Sequence, residues 1–227
     1  MLSDEDIIRA NPWWRSERWE AEDPHLRRLA EQPVQLRAPE AEALNLTTPA
    51  IHILRGPRQV GKSTDLKLMV ARALAGGCQP SSIIYLTLDM LEGQPFDQLV
   101  RSTRRALDLS GGGPQRLLLL DEVTSVRNFQ MALKVLWDEG DVDRAVLVCT
   151  GSSATDLASG VEEALPGRRG SGQDLLVLPQ DYGSFAQVLT PSIPIPPALD
   201  VADIVAPAGQ DLLHSMRSCS RHGCAVT

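Results

Sequence analysis

Four stretches of this chain are apolar almost from end to end: AIHIL at 50–54, IIYL at 83–86, LLLL at 117–120 and AVLVC at 145–149. A strand with one wet face alternates apolar and polar residues, so strands apolar on both faces must be covered on both. Between them run segments with helical periodicity. Lys62 to Ala75 ends at Gly76-Gly77, PFDQLVRSTRRALDLS is closed by Gly111-Gly112-Gly113, and NFQMALKVLWDEG is amphipathic. ATDLASGVEEAL reads as another helix, DLLVLPQ as a fifth strand and DYGSFAQVL as a helix after it. Buried strands alternating with helices predict an α/β fold, a three-layer α/β/α sandwich on a central parallel sheet of about five strands.

This regular pattern occupies residues 50–190. Ahead of it, residues 1–49 form a leader. Ser3 opens an S-x-x-D cap for a short helix that stops before Pro12, and HLRRLAEQ reads as a second helix ending at Pro33. The leader holds Trp13, Trp14 and Trp19, three of the four tryptophans, which suit either stapling to the domain by large apolar rings or contact with a partner. Residues 191–227 are proline-rich and weakly periodic, so they read as a linker or tail. His214, Cys219, His222 and Cys224 lie close together in that tail but lack the C-x-x-C and H-x(3–5)-H spacings of common zinc sites.

Phosphate chemistry is written most plainly at GPRQVGKST. Gly56-Pro57-Arg58-Gln59-Val60-Gly61-Lys62-Ser63 matches G-x-x-x-x-G-K-[ST] without deviation, and Thr64 follows. The two glycines let the backbone wrap so that successive N–H groups face phosphate oxygens. Lys62 supplies a point charge to the β- and γ-phosphates, and the Ser63 hydroxyl is placed to ligate magnesium. The motif follows a strand and opens a helix whose positive dipole end faces the same ligand. These residues predict a site for ATP with Mg2+.

The leucine strand ends in Asp121-Glu122. An aspartate at the tip of a buried strand can reach the magnesium, and the adjacent glutamate can polarise a water aimed at the γ-phosphate. Asp89, after IIYLTL, points toward the same edge. The strand from Ala145 ends in Thr150-Gly151-Ser152-Ser153. A hydroxyl there can orient that water or sense the γ-phosphate; equally, Ser152 or Ser153 can cap the next helix. Within LPGRRGSGQD, Arg168 and Arg169 are flanked by glycines. The segment lacks the lysine and the strand-then-helix setting of a second phosphate loop, leaving a mobile catalytic arginine or a basic linker.

In this order, GPRQVGKST, LLLLDE, a strand ending TGSS, then LPGRR and LVLPQDYGSFAQVL resemble the AAA-type P-loop ATPases. The similarity is to the prokaryotic group in which an AAA core precedes a C-terminal domain of uncertain function. That resemblance implies a P-loop NTPase fold with the TGSS strand beside the loop strand. It implies nucleotide binding by Gly56 to Thr64, magnesium support by Asp121, water activation by Glu122 and a sensor at Ser152 or Ser153. It also implies that Arg168 or Arg169 reaches a neighbouring subunit's γ-phosphate, and hence a homo-oligomer. Members of that group continue into a sizeable further domain, so 191–227 reads as a truncated C-terminal region.

The resulting expectation is an ATPase that couples hydrolysis to conformational change. The alternative is a nucleotide-gated switch with little or no turnover. A small-molecule kinase would need an arginine-rich lid, for which the sequence offers only Arg168 and Arg169. Net charge -7 argues against binding nucleic acid through overall charge and leaves a local basic patch open; nothing in the sequence directly marks a nucleic-acid site, and Arg101, Arg104 and Arg105 read as a solvated helix face. No apolar run approaches the roughly 18 residues of a membrane span, and the acidic N-terminus is no secretion signal, so the expected location is the cytoplasm.

Overall fold

The computed structural model describes residues 1–32, 39–111, 113, 115–152 and 170–179. The helices read at 154–165 and 181–189, Ser153, Arg168, Arg169 and the 191–227 tail lie outside the described residues.

Strands β1 (Ala50–Arg55), β2 (Ile83–Thr87), β3 (Arg116–Asp121), β4 (Ala145–Gly151) and β5 (Asp174–Leu176) make one parallel sheet in the order β2-β3-β4-β1-β5. Strands 1 to 4 are the four apolar runs. Their alternate residues fill two cores, one on each face. Ile51, Ile53, Ile84, Leu86, Leu118, Leu120, Leu147 and Cys149 pack on one side. Leu54, Ile83, Tyr85, Leu117, Leu119, Val146 and Val148 pack on the other.

The leader begins with α1 (Asp4–Ala10), where the Ser3 hydroxyl accepts from the Asp6 amide and acidic residues fill the first turn, as the helix dipole favours. Two short helices follow, α2 (Trp19–Glu22) and α3 (Pro24–Ala30), the latter capped by the Asp23 carboxylate and opened by Pro24. A further turn, α4 (Pro39–Glu42), precedes β1. Behind the phosphate motif runs α5 (Lys62–Ala75), on the tryptophan side of the sheet. The opposite face is covered by α6 (Phe96–Ser110) and α7 (Phe129–Asp138). These are the three layers the apolar strands require.

The leader wraps around the β2 edge of the sheet. Leu2 and Ile7 belong to the α6 and α7 core, whereas Trp13, Trp19 and Leu26 belong to the α5 core. An open strand edge presents unpaired backbone groups; here side chains occupy them. Asn11 Nδ2 donates to the Tyr85 carbonyl at 2.8 Å, and the Tyr85 amide donates to Asn11 Oδ1 at 2.7 Å. The indole N–H groups of Trp13 and Trp14 both donate to the Ile83 carbonyl, at 3.0 and 2.9 Å.

Beyond IIYL the strand runs one residue further, to Thr87; the Leu88 amide then turns to the Asp121 carbonyl at 3.0 Å and Asp89–Leu91 forms a 3-10 turn. One reading from the sequence changes. The arginines of α6 are not merely a solvated face. Arg105 pairs with Asp4 and ties α1 down, Arg104 pairs with Glu139 and Asp141 after α7, and Arg101 pairs with Asp97.

Candidate functional site

In a parallel sheet the ligand crevice lies at the carboxyl ends of the strands, where successive connections diverge. Here β1 leads through α5 to the far edge, and β4 lies between β1 and β3. Register sets the strand ends level: Thr87 lies beside Asp121, Leu120 beside Cys149, and Leu54 beside Thr150. The phosphate motif, the acidic pair and the TGSS segment therefore share one edge of the sheet.

The loop after β1 is shaped by its neighbours. A Cβ at Gly56 would stand 2.0 Å from the Val177 carbonyl oxygen, so only glycine lets the chain past β5. The Val177 amide donates to the Arg55 carbonyl at 2.8 Å, which holds that approach. Gly61, at φ 99°, adopts the left-handed turn from which α5 starts. Pro57, Arg58 and Gln59 form the exposed rim, while Val60, Ser63 and Thr64 are half-buried. Lys62 is buried, and its Nζ donates to the carbonyls of Gly56 and Pro57 at 2.7 Å each. Burial lowers its pKa from the ordinary lysine value, against the opposing pull of Glu122 and Asp121.

Asp121 is gripped on both oxygens. The Thr150 hydroxyl donates to Oδ1 at 2.6 Å and the Tyr85 hydroxyl to Oδ2 at 2.7 Å. Burial, followed by the Asp121 charge, pushes the Tyr85 phenol above its ordinary range, so it remains a donor. Glu122 sits at φ 58°, a left-handed conformation that costs a residue with a side chain roughly 1–3 kcal/mol. Its amide donates to Thr150 Oγ1 at 2.9 Å. Its Oε1 accepts three hydrogen bonds: from the Ser152 amide at 2.8 Å, the Ser152 hydroxyl at 2.6 Å and the Thr124 hydroxyl at 2.8 Å. Burial raises the Glu122 pKa, but the Ser152 and Thr124 bonds and the Lys62 charge outweigh it and hold the carboxyl below its ordinary value.

A cleft of about 380 Å³ opens beside these groups, and Ser63, Asp89 and Asp121 line it together with Asp23, Lys67 and Tyr85. Burial, and then the charges of Asp121 and Glu122, raise the Asp89 pKa. Among the described residues no group of three or more His, Cys, Asp or Glu could hold a metal ion. The Asp121 carboxylate and the Ser63 hydroxyl at the cleft instead suit a hard cation that takes its remaining ligands from phosphate and water.

A sequence model described as an AAA domain matches residues 48–185, more than half of the chain. The chain belongs to the AAA domain family. No curated protein matches it. Among solved structures, the Aeropyrum pernix ORC2 protein, in complexes with ADPNP and ADP, is 17% identical with a TM-score of 0.49, over 77% of this chain and 55% of that one. The A. pernix ORC1 protein in complex with DNA is 20% identical with a TM-score of 0.42, over 87% of this chain and 60% of that one. AMPPCP-bound DnaA from Aquifex aeolicus is 14% identical with a TM-score of 0.42, over 77% and 55%. The chain spans little more than half the length of two of these proteins and 60% of the third.

In this AAA domain the residues singled out from sequence and described here, Gly56 to Thr64, Asp121, Glu122 and Ser152, meet at one edge. Ser152 contacts Glu122, an arrangement neither of its expected roles included. Thr150 is visible in the sequence only as part of the polar strand end, and Tyr85 and Thr124 are not singled out by it. A threonine closing an apolar strand was the available signal for Thr150; Tyr85 reads as core until its hydroxyl is traced to Asp121.

Proposed function

We propose that this AAA domain binds ATP with Mg2+ at Gly56 to Thr64 and hydrolyses it to ADP and phosphate, coupling the step to conformational change. The convergence of Lys62, Asp121 and Glu122, close enough for both carboxylates to act on the lysine's charge, carries the reading. Lys62 leaves its two carbonyls for phosphate oxygens, and backbone N–H groups of the loop complete the cradle. Ser63 and Asp121 would hold Mg2+, which neutralises charge on the phosphates when bound. Glu122 takes the proton of the attacking water through the carboxylate oxygen that Ser152 and Thr124 leave open. Arg168 or Arg169 reaches the γ-phosphate of a neighbouring subunit.

Glu122→Gln keeps the shape and its acceptor oxygen but removes the base. It is expected to abolish phosphate release while retaining ATP binding, both measured on the purified full chain. Unchanged turnover would take Glu122 out of the mechanism. One observation favours the second reading, a nucleotide-gated switch: three donors on Glu122 Oε1 weaken it as a base. In a single-turnover assay the switch predicts ATP bound but uncleaved over hours.

A further inference from the structure

Asp121 is the proposed metal-supporting carboxylate, and what holds it reaches beyond the sheet edge. Thr150 grips one oxygen from the neighbouring strand. Tyr85, gripping the other, is itself fixed largely by the leader. Its backbone amide and carbonyl are both bonded by Asn11. Its ring is faced by Lys67 Nζ, 3.6 Å from the centroid. Lys67 in turn lies 4.9 Å from the Trp13 ring centroid, donates to the Ala10 carbonyl at 3.2 Å and stands 3.7 Å from Asp23 Oδ2. The leader thus contacts Tyr85 directly, and through Lys67 it surrounds the ring with one buried cation.

A phenylalanine would fill the same space and keep both Asn11 bonds and the cation over the ring. The hydroxyl is therefore spare for packing, and its partner is Asp121. A donor fixed on one carboxylate oxygen sets the torsion of the group and the direction of its remaining lone pairs. In a buried setting such chains of polar contacts reinforce one another. We infer that Tyr85 is a positioning residue for Asp121, and that the leader, through Asn11 and the Trp13–Lys67–Asp23 cluster, sets the aim of that carboxylate toward the divalent cation carried by the nucleotide. The inference rests on the nucleotide-binding reading above and adds a route by which metal–nucleotide binding and leader docking influence each other.

Tyr85→Phe in the full chain tests it, read as binding of a fluorescent ATP analogue against Mg2+ concentration and again in EDTA. Loss of an outer partner of a metal ligand typically costs about 10–100-fold in metal affinity. The half-saturating Mg2+ concentration is expected to rise about tenfold or more, with binding in EDTA little changed; the lost bond to Asp121 lowers the thermal midpoint as well, so the Mg2+ dependence is the deciding readout. A purely structural tyrosine would shift the midpoint and leave the Mg2+ dependence alone, and that result would overturn the assignment. Trp13→Leu, which keeps the hydroxyl and every charge at the cleft, is expected to shift the Mg2+ dependence the same way by a smaller factor; no shift removes the leader from the inference. In a Trp137→Phe background the remaining tryptophans are Trp13, Trp14 and Trp19. Their emission is expected to change on adding Mg2+ with nucleotide, and to change less in Tyr85→Phe; equal responses, or none, overturn the coupling. Absence of analogue binding by the wild-type chain under every condition is a different result, and it sinks the nucleotide reading itself.

Discussion

Glu122 concentrates the residue-scale conflict of this site. A general base works when it is deprotonated, so turnover falls as pH drops through its pKa. Charged-form hydrogen bonds lower that pKa, and the Ser152 hydroxyl, at 2.6 Å, is the leading one after burial. Ser152→Ala removes a donor to the anion, which raises the Glu122 pKa. The acid limb of kcat/KM against pH is therefore expected to move to higher pH, with a stronger base above it. An acid limb that stays at the wild-type position would remove the serine from control of the glutamate. The sequence displayed the chemistry of this site more fully than its pairings. Lys62, Ser63, Asp121 and Glu122 were legible because a fixed spacing and a buried strand tip leave them few places to point. Thr150 and Ser152 were not separable by role, since only the register of β4 on β3 brings the first to Asp121 and the second to Glu122.

At the scale of elements, the leader closes the β2 edge of the sheet. Its Asn11 is fully buried and serves both Tyr85 backbone groups and the Ile7 carbonyl. Asn11→Ala strands an N–H and a C=O on the β2 edge. Each buried polar group left without a partner costs about 1–3 kcal/mol, so a loss of about 3 kcal/mol is expected in urea unfolding, with more aggregation through the uncovered edge. A midpoint within error of wild type would mean that water satisfies that edge and the leader is not its cap. The strands themselves were readable because burial on both faces forces an unbroken apolar run. The edge cap was not: Asn11 and Tyr85 lie 74 positions apart, and only the fold reveals that a side chain completes the hydrogen bonding of a strand. Of the two roles the sequence leaves open for the tryptophans, Trp13 and Trp19 take up stapling as buried rings, and the indole N–H groups of Trp13 and Trp14 both close on the Ile83 carbonyl.

At the scale of the whole molecule, the open matter is whether one chain suffices for turnover. The described site carries a lysine, two acids and their hydroxyl partners at a single sheet edge. The arginine proposed to complete it, Arg168 or Arg169, is assigned to the neighbouring subunit's nucleotide. Chains of net charge -7 repel one another at long range, so the proposed association would be carried by local contacts and is expected to tighten as salt screens the repulsion. An arginine finger is worth about 10³–10⁵ in rate where it operates, so the double variant Arg168→Ala/Arg169→Ala should lose turnover steeply and ATP affinity far less. Loss of activity alone does not distinguish a finger acting on its own chain from one acting on the next. Mixing does. Chains carrying Glu122→Gln are inactive but retain their arginines; chains lacking the arginines retain Glu122. If the finger works across a subunit boundary, the two inactive proteins combined form sites with both groups present. Phosphate release should then exceed the sum of the separate rates and rise with total protein concentration. Rates that only add would confine the arginines to their own chain.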